Sequence, residues 1–302
     1  MDAAPLRFGQ YPPPDRVLLH LSDTHLLAGG ALHGPGIDTE EHLAVTLRLI
    51  ERMRPRPDAL VITGDLTDLG EPDAYRRLRQ LVEPVAEALD APVIWVAGNH
   101  DERPAMRHHL LGETPTDAPI DGVWDLRGLR VIGIDTTVPG WHHGDLDDAQ
   151  LTWLSKVLAE PAPLGTILAM HHPPIPSPLP LFDILELRDQ SRLARVLAGT
   201  DVRAILAGHL HYSTSATFAG IPVSVASSTC YGMNLGLPAL EVNGFDAGQS
   251  FHVVRVYPTT ITHDVVPVVD APTGDYFSPE WAERMSRLSP EERLQVFSRK
   301  RR

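Results

Sequence analysis

Residues 91–101 read APVIWVAGNHD. An apolar run rich in β-branched and aromatic residues, short enough for one buried strand, stops at a glycine. An amide, an imidazole and a carboxylate follow at once. A plain turn could use Gly98 and Asn99, because both tolerate left-handed backbone, but it has no need of His100. This strand ends in chemistry, and the other strands show whether that is a pattern.

They show that it is. VLLHLSDTH (17–25), DALVITGD (58–65), GTILAMHH (165–172) and VRAILAGHLH (202–211) each pass from an apolar run into Asp or His. LRVIGIDTT (129–137) is a further strand. Helical patterns lie between them. In 38–54, Asp38 is the N-cap with Glu41 three places on, and Leu43, Leu47 and Ile50 share a face. The pattern over 71–90 is expected to kink at Pro84. The others are 147–160, capped by Asp147 or Asp148, and a helix near 188–198. Strands alternating with helices indicate an α/β layered domain. Two later hairpins, turning at Ala219-Gly220 and at Pro258, make the sheets mixed. We place the main domain at 15–270. Residues 271–302 form a separate helical, basic tail, with two Ser-Pro-Glu helix starts and a frayed SRKRR end.

The bulk numbers narrow the classes. The 302 residues are 43% hydrophobic and 22% charged, a globular composition. A net charge of −13 lacks the basic footprint that long nucleic acid demands, although a small phosphorylated ligand needs only a local positive site. The single cysteine, Cys230, excludes an intrachain disulfide and any cysteine-cluster zinc site. No apolar run nears the roughly 18–20 residues that span a bilayer, and the N-terminus has no apolar leader. These features lead us to expect the cytoplasm.

Ligands of open α/β sheets gather at the carboxyl ends of strands. On extended backbone, residues two apart share a face, which would aim Asp23 with His25, and His209 with His211, at common points. A lone D-x-H or G-D is ordinary turn chemistry; five strand ends together are not. The set Asp23, His25, Asp65, Asn99, His171, His209 and His211 holds two carboxylates, one amide, four imidazoles and no thiolate. Imidazole suits Zn, Fe, Ni and Cu, and oxygen donors suit Mn and Mg. Seven ligands exceed one tetrahedral ion but suit two that share a carboxylate, a recurrent device for phosphoester hydrolysis.

In order, D-x-H, G-D, G-N-H-D, H and G-H-x-H resemble the signature of the calcineurin-like metallophosphoesterases, from about Val17 to the hairpin near residue 226. VPGWHHGDLDDAQLTWL (138–154), MHHPPIPS and ILAGHLHYS narrow the likeness to the bacterial class III cyclic-nucleotide phosphodiesterases. The resemblance implies an α/β fold, a four-layer αββα sandwich of two mixed β-sheets. It assigns Asp23, His25, Asp65 and His211 to one ion and Asp65, Asn99, His171 and His209 to the other, with Asp65 bridging. His100 becomes the catalytic residue outside the ligand set, and Asn99, His100 and His211 reach the substrate. The implied ions are iron and manganese, with zinc or cobalt as alternatives. The implied assembly is a homodimer. The implied substrates are 3′,5′-cyclic nucleotides (cAMP, cGMP), hydrolysed to 5′-nucleoside monophosphates, with 2′,3′-cyclic nucleotides and other diesters as alternatives.

Charge arithmetic supports that chemistry. Two divalent ions carry +4 against −2 from Asp23 and Asp65, so an acidic protein would hold a local positive well that orients a phosphodiester and activates a water for in-line attack. His100 would then protonate the leaving ribose oxygen.

Other residues have lesser expected roles. Asp101 supports the loop or orients His100. His142 and His143 lie near the pocket rim, in a substrate or dimer role or in a solvated loop. His172 lies beside the ligands, His20 and Cys230 are core residues, and Tyr231 lines the pocket. Trp281, Met285, Leu288 and Phe297, beside SRKRR, either touch an anionic membrane surface or pack on their own domain. Two other functions compete: a phosphomonoesterase or other diesterase on the same ions, and a binding protein that kept the fold and lost the chemistry. The second predicts missing ligands, and none is missing.

Overall fold

The structure is a computed structural model that describes residues 7–54, 56–236, 241–269, 274 and 276–300. The chain divides into two compact units, Pro14–Val268 and the two chain ends.

The large unit runs β1 (Arg16–Leu21), α1 (Thr39–Glu51), β2 (Ala59–Thr63), α2 (Pro72–Leu89), β3 (Val93–Val96), α3 (Arg103–Met106), β4 (Gly122–Leu126), β5 (Leu129–Gly133), α4 (Asp148–Val157), β6 (Thr166–Ala169), α5 (Pro180–Ile184), α6 (Gln190–Leu197), β7 (Val202–Ala207), β8 (Thr214–Phe218) and β9 (Ile221–Val225). A two-residue pair, β10 (Gly232–Met233) with β11 (Gly244–Phe245), precedes β12 (Ser250–Val256) and β13 (Ile261–Pro267). One sheet has the order β13-β12-β1-β2-β3 and the other β4-β5-β6-β7-β9-β8. Both are mixed: β1, β2 and β3 run parallel, as do β5, β6, β7 and β9, and the remaining pairings are antiparallel.

Apolar contact falls into three layers, which makes the α/β unit a four-layer αββα sandwich. Leu43, Leu47 and Ile50 of α1 and Leu78 and Val82 of α2 pack on Leu19, Leu21, Leu60 and Ile62. Leu18, Val61 and Ile94 of one sheet meet Val131, Ile167 and Leu206 of the other between the sheets. Leu151 and Leu154 of α4 and Leu193 and Leu197 of α6 cover Leu168 and Ile205. The parallel strands are buried on both faces, so their sequences read as continuous apolar runs rather than alternating ones.

Local signals explain most boundaries. Asp38 accepts the Glu41 N–H at the start of α1, and Asp147 forms a capping box with Gln150 at the start of α4. The β8–β9 turn places Ala219 and Gly220 at φ 50° and 83°, as a tight hairpin requires. Helix α2 runs through Pro84 without interruption. Strand β4, paired antiparallel with β5, is not marked in the sequence: GVWDL alternates half-buried and exposed residues at a sheet edge before the buried Leu126, too weakly to stand out beside the apolar runs.

The chain-end unit holds α7 (Pro279–Ser286) and α8 (Pro290–Arg293), capped by Ser278 and Ser289. Trp281, Phe277 and Phe297 pack ring to ring, Met285 is buried, and the Arg293 guanidinium lies over Phe8. Arg301 and Arg302 of the SRKRR end lie outside the described residues.

Candidate dinuclear metal centre

The two sheets bring the carboxyl ends of β1, β2, β3, β6 and β7 to one edge of the sandwich. All seven expected ligands follow those ends. One element of the sequence argument fails. Asp23, His25, Asp65, His209 and His211 have φ of 53°, 44°, 47°, 73° and 55°, so the i, i+2 pairs do not converge by sharing a face of extended backbone. They converge because the chain leaves each strand through left-handed turns. Non-glycine residues in such conformations cost of order 1–3 kcal/mol each and persist where a site demands them.

Gly98 is needed for space rather than for an unusual φ. A Cβ there would lie 2.0 Å from the Asp65 amide nitrogen and 2.3 Å from its Oδ1. Gly98→Ala is therefore expected to push the β2 and β3 loops apart, costing about 1–3 kcal/mol as overpacking does. Thermal melting and metal content would fall together; if both stay at wild-type values, the loops absorb the methyl and the close approach is not essential.

The ring nitrogens carry the strongest evidence. His25 Nδ1 lies 2.9 Å from the Asp68 carboxylate. His171 Nδ1 lies 2.7 Å from the Thr63 carbonyl, His209 Nε2 3.1 Å from the Leu185 carbonyl, and His211 Nδ1 3.0 Å from the Tyr231 carbonyl. A nitrogen facing such an oxygen donates, so in each neutral ring the other nitrogen holds a lone pair. Those lone pairs face each other: His25 Nε2 is 3.2 Å from His211 Nε2, and His171 Nε2 is 3.2 Å from His209 Nδ1. Two lone pairs at that distance repel unless something positive lies between them. Asp65 Oδ2 sits 3.4 Å from both His25 Nε2 and His171 Nε2, the place of a shared ligand. Asp23 Oδ1 is 3.4 Å from His211 Nε2, and Asn99 Oδ1 is 3.0 Å from His171 Nε2. Asp23, His25, Asp65 and His211 form one buried cluster able to hold an ion. The donor set fits two cations sharing Asp65, and the carbonyl and carboxylate partners fix which nitrogen each ring would offer.

His100 stays outside that set. Its amide donates to Asp65 Oδ1 at 2.8 Å and its Nδ1 donates to the Asp68 carbonyl at 2.8 Å. Its Nε2 makes no hydrogen bond among the described residues, and its ring lies 4.8 Å from that of His25. Asp68, which the sequence reading passed over, is the hub here: its carboxylate takes His25 Nδ1, approaches His33 Nε2 at 3.5 Å and lies 3.7 Å from His100 Nδ1. Its only sequence signal is a second aspartate three places after Asp65, in GDLTD. Asp101 supports the loop, and among the described residues its carboxylate makes no hydrogen bond to the His100 ring. It accepts the N–H groups of Gly98, Leu66 and Thr67 and the Tyr75 hydroxyl, tying the β2 and β3 loops together. Burial, with Asp65 nearby, pushes its carboxyl up to about 6.

The remaining candidates also find places. The Tyr231 ring lies 4.5 Å from that of His211 and stacks on His33 at 4.8 Å. Cys230 is buried, its sulfur 3.8 Å from His211 Nδ1. His20 is buried between the sheets against the Thr63 hydroxyl. His172 lies beside the candidate ligands His171 and His209, between the Thr136 hydroxyl and the His142 carbonyl. His142 is hydrogen-bonded to Asn99, whereas the His143 ring lies 5.7 Å from that of Trp141.

Electrostatics favour cations. Burial opposes charge on His171, but Asp65, by charge and hydrogen bond, pushes it up to about 9. Burial likewise works against His25 and His211, and Cys230 with the neighbouring carboxylates holds both well above the ordinary value. Against the same burial, His171 and His25 hold Asp65 well below the usual carboxylate range. An imidazole raised in this way keeps its proton up to its folded pKa, so an ion must displace protons at neutral pH. Apparent affinity should rise with pH up to about 9, roughly tenfold per unit for each proton displaced. Metal addition at pH 7 should therefore release protons, measurable by calorimetry in buffers of different ionisation heat. In the loaded protein, ions and activity should be lost together below about pH 6. Full metal retention at pH 4 would contradict the four-imidazole set.

Residues 17–213 match the calcineurin-like phosphoesterase family, and the chain belongs to that family. It is 54% identical, over 92% of its length and 88% of the relative's, to a cAMP/cGMP dual specificity phosphodiesterase of Mycobacterium tuberculosis. It is 32% identical to the 3′,5′-cyclic adenosine monophosphate phosphodiesterase CpdA of Escherichia coli, over 70% of this chain and 76% of that one. Its fold is that of a dimetal phosphatase from Danio rerio, with a TM-score of 0.62 and 16% identity over 85% of this chain and 98% of the other.

Proposed function

We propose that this chain is a dinuclear-metal phosphodiesterase that hydrolyses 3′,5′-cyclic nucleotides to 5′-nucleoside monophosphates. The observation that carries the reading is the facing of lone-pair nitrogens in two pairs, His25 with His211 and His171 with His209, with Asp65 Oδ2 beside one member of each pair and every outer ring nitrogen already held. The names of the relatives that are 54% and 32% identical to it over the aligned residues support the substrate class. Asp23, His25, Asp65 and His211 would hold one ion, and Asp65, Asn99, His171 and His209 the other. The imidazole and oxygen donors suit iron and manganese, with zinc or cobalt as alternatives. When bound, the pair supplies Lewis-acid polarisation of the phosphodiester and an activated water.

The chain's own residues do the rest. Asn99 supplies a neutral oxygen, which keeps the site's balance positive toward an anionic diester. Asp68 holds His25 by its carboxylate and His100 by its carbonyl, so both rings keep fixed orientations. His100 presents Nε2, and as an imidazolium it can give that proton to the departing ribose oxygen. The test is a panel of 3′,5′- and 2′,3′-cyclic nucleotides and aryl phosphate mono- and diesters, assayed with Mn²⁺. Preference for 3′,5′-cyclic AMP and GMP supports the reading. Preference for an aryl monoester would move the protein to the phosphomonoesterases, and no turnover with both ions bound would make it a binding protein.

A further inference from the structure

An amide ligand has a problem that a carboxylate lacks. One end of the Asn99 side chain can ligate a cation and the other cannot, and the two ends are nearly the same shape. The wrong orientation is a real competitor here. Turned round, the Asn99 NH₂ could donate to the lone pair on His171 Nε2, 3.0 Å from the present Oδ1 position, and so close the site with a satisfactory hydrogen bond. Something must favour the other orientation. Asn99 Nδ2 lies 2.9 Å from His142 Nδ1.

We propose that His142 is a positioning residue: its Nδ1 accepts the Asn99 Nδ2–H and thereby keeps Oδ1 turned into the metal centre. The inference rests on the dinuclear reading above. The loop that carries His142 is fastened as this role requires. The His142 carbonyl accepts from Nε2 of the fully buried His172, whose Nδ1 is held by the Thr136 hydroxyl. Two residues on, Gly144 passes so close to His172 that a Cβ would lie 2.6 Å from the ring. Gly144 donates to the Glu186 carbonyl and accepts from the Arg188 N–H, and Asp145 donates to the Thr136 carbonyl. A ring on an otherwise exposed loop is thus anchored through its own carbonyl and through the backbone that follows it. Among the described residues His143, its neighbour, makes no hydrogen bond to the centre.

The test measures metal affinity directly, by titrating metal-stripped full-length protein with Mn²⁺ and following free Mn²⁺ by electron paramagnetic resonance. Wild type should bind two ions. His142→Leu should weaken the second by roughly 10–100-fold, as losing an outer hydrogen-bond partner does, and leave the first within about twofold. His142→Asn places an amide oxygen where Nδ1 was and should restore most of that affinity. In an Asn99→Asp background both ends of the side chain are oxygens, so His142→Leu should no longer matter. Three results would overturn the proposal: unchanged binding of both ions in His142→Leu, no rescue by His142→Asn, or an equal loss in the Asn99→Asp background. Fewer than two ions in wild type would overturn the dinuclear reading itself, and this inference with it.

Discussion

Asp65→Ala is expected to remove more activity than any other single change at the centre, and to release both ions. Three contacts converge on this carboxylate. Its Oδ2 is equidistant from the imidazoles assigned to the two ions, and its Oδ1 accepts the amide of His100. Alanine would leave two cations without their shared anion and would free the backbone that positions His100. The loss should therefore exceed the roughly 10–100-fold typical of removing a partner outside the ligand set. Asp65→Asn separates the two roles: it keeps the shape and an oxygen but removes the charge that holds a pair of cations close. Metal content and turnover of the variants check the point. If Asp65→Ala keeps both ions and near-normal turnover, Asp65 does not bridge.

The second large effect concerns His100, and its size should depend on the substrate. A ribose alkoxide is a poor leaving group and needs a proton; a nitrophenolate departs with little help. General-acid assistance is worth about 10²–10⁴ in rate. His100→Ala should cut cyclic-nucleotide hydrolysis by that range and affect a bis-nitrophenyl diester much less. Metal content should hardly change, because His100 is assigned to neither ion. The pH dependence follows from the hydrogen bonds. Nδ1 already donates to Asp68, so Nε2 carries a proton only when the ring is cationic. Burial, with His25 adding to it, lowers the His100 value below its ordinary one, although Asp65 and Asp68 oppose this. The proton is thus lost as pH rises, and the rate advantage of wild type over His100→Ala on cyclic nucleotides should shrink with it. Matched losses on both substrates with ions retained would make His100 an electrostatic stabiliser of the phosphoryl oxygens; matched losses with ions released would make it a ligand.

Strand ends were the legible part of this molecule. A parallel strand buried on both faces must be apolar along its length, so Asp, Asn or His just after it is conspicuous, and all seven candidate ligands were picked out in that way. The α/β class followed from the alternation of elements, the four-layer order only from the family resemblance, and the caps at Asp38 and Asp147 from single side chains. The means of convergence was not legible. That Asp23 and His25 meet through left-handed turns depends on tertiary demand, which no local propensity of Asp or His announces. Asp68 was missed because one more aspartate in GDLTD looks like turn chemistry until the fold brings His25, His33 and His100 to it. Asp101 was understood only in part, since its partners Leu66 and Tyr75 belong to other elements. The bond from His142 to Asn99 joins loops 43 residues apart, and in sequence His142 and His143 look alike.

The most direct test of the account is stepwise loading. Metal-stripped protein is titrated with Mn²⁺ while hydrolysis of 3′,5′-cyclic AMP is followed and the product identified. The account predicts that turnover stays near background through the first equivalent, appears as the second binds, and yields 5′-AMP. Full turnover with one ion bound, or none with two, would contradict it.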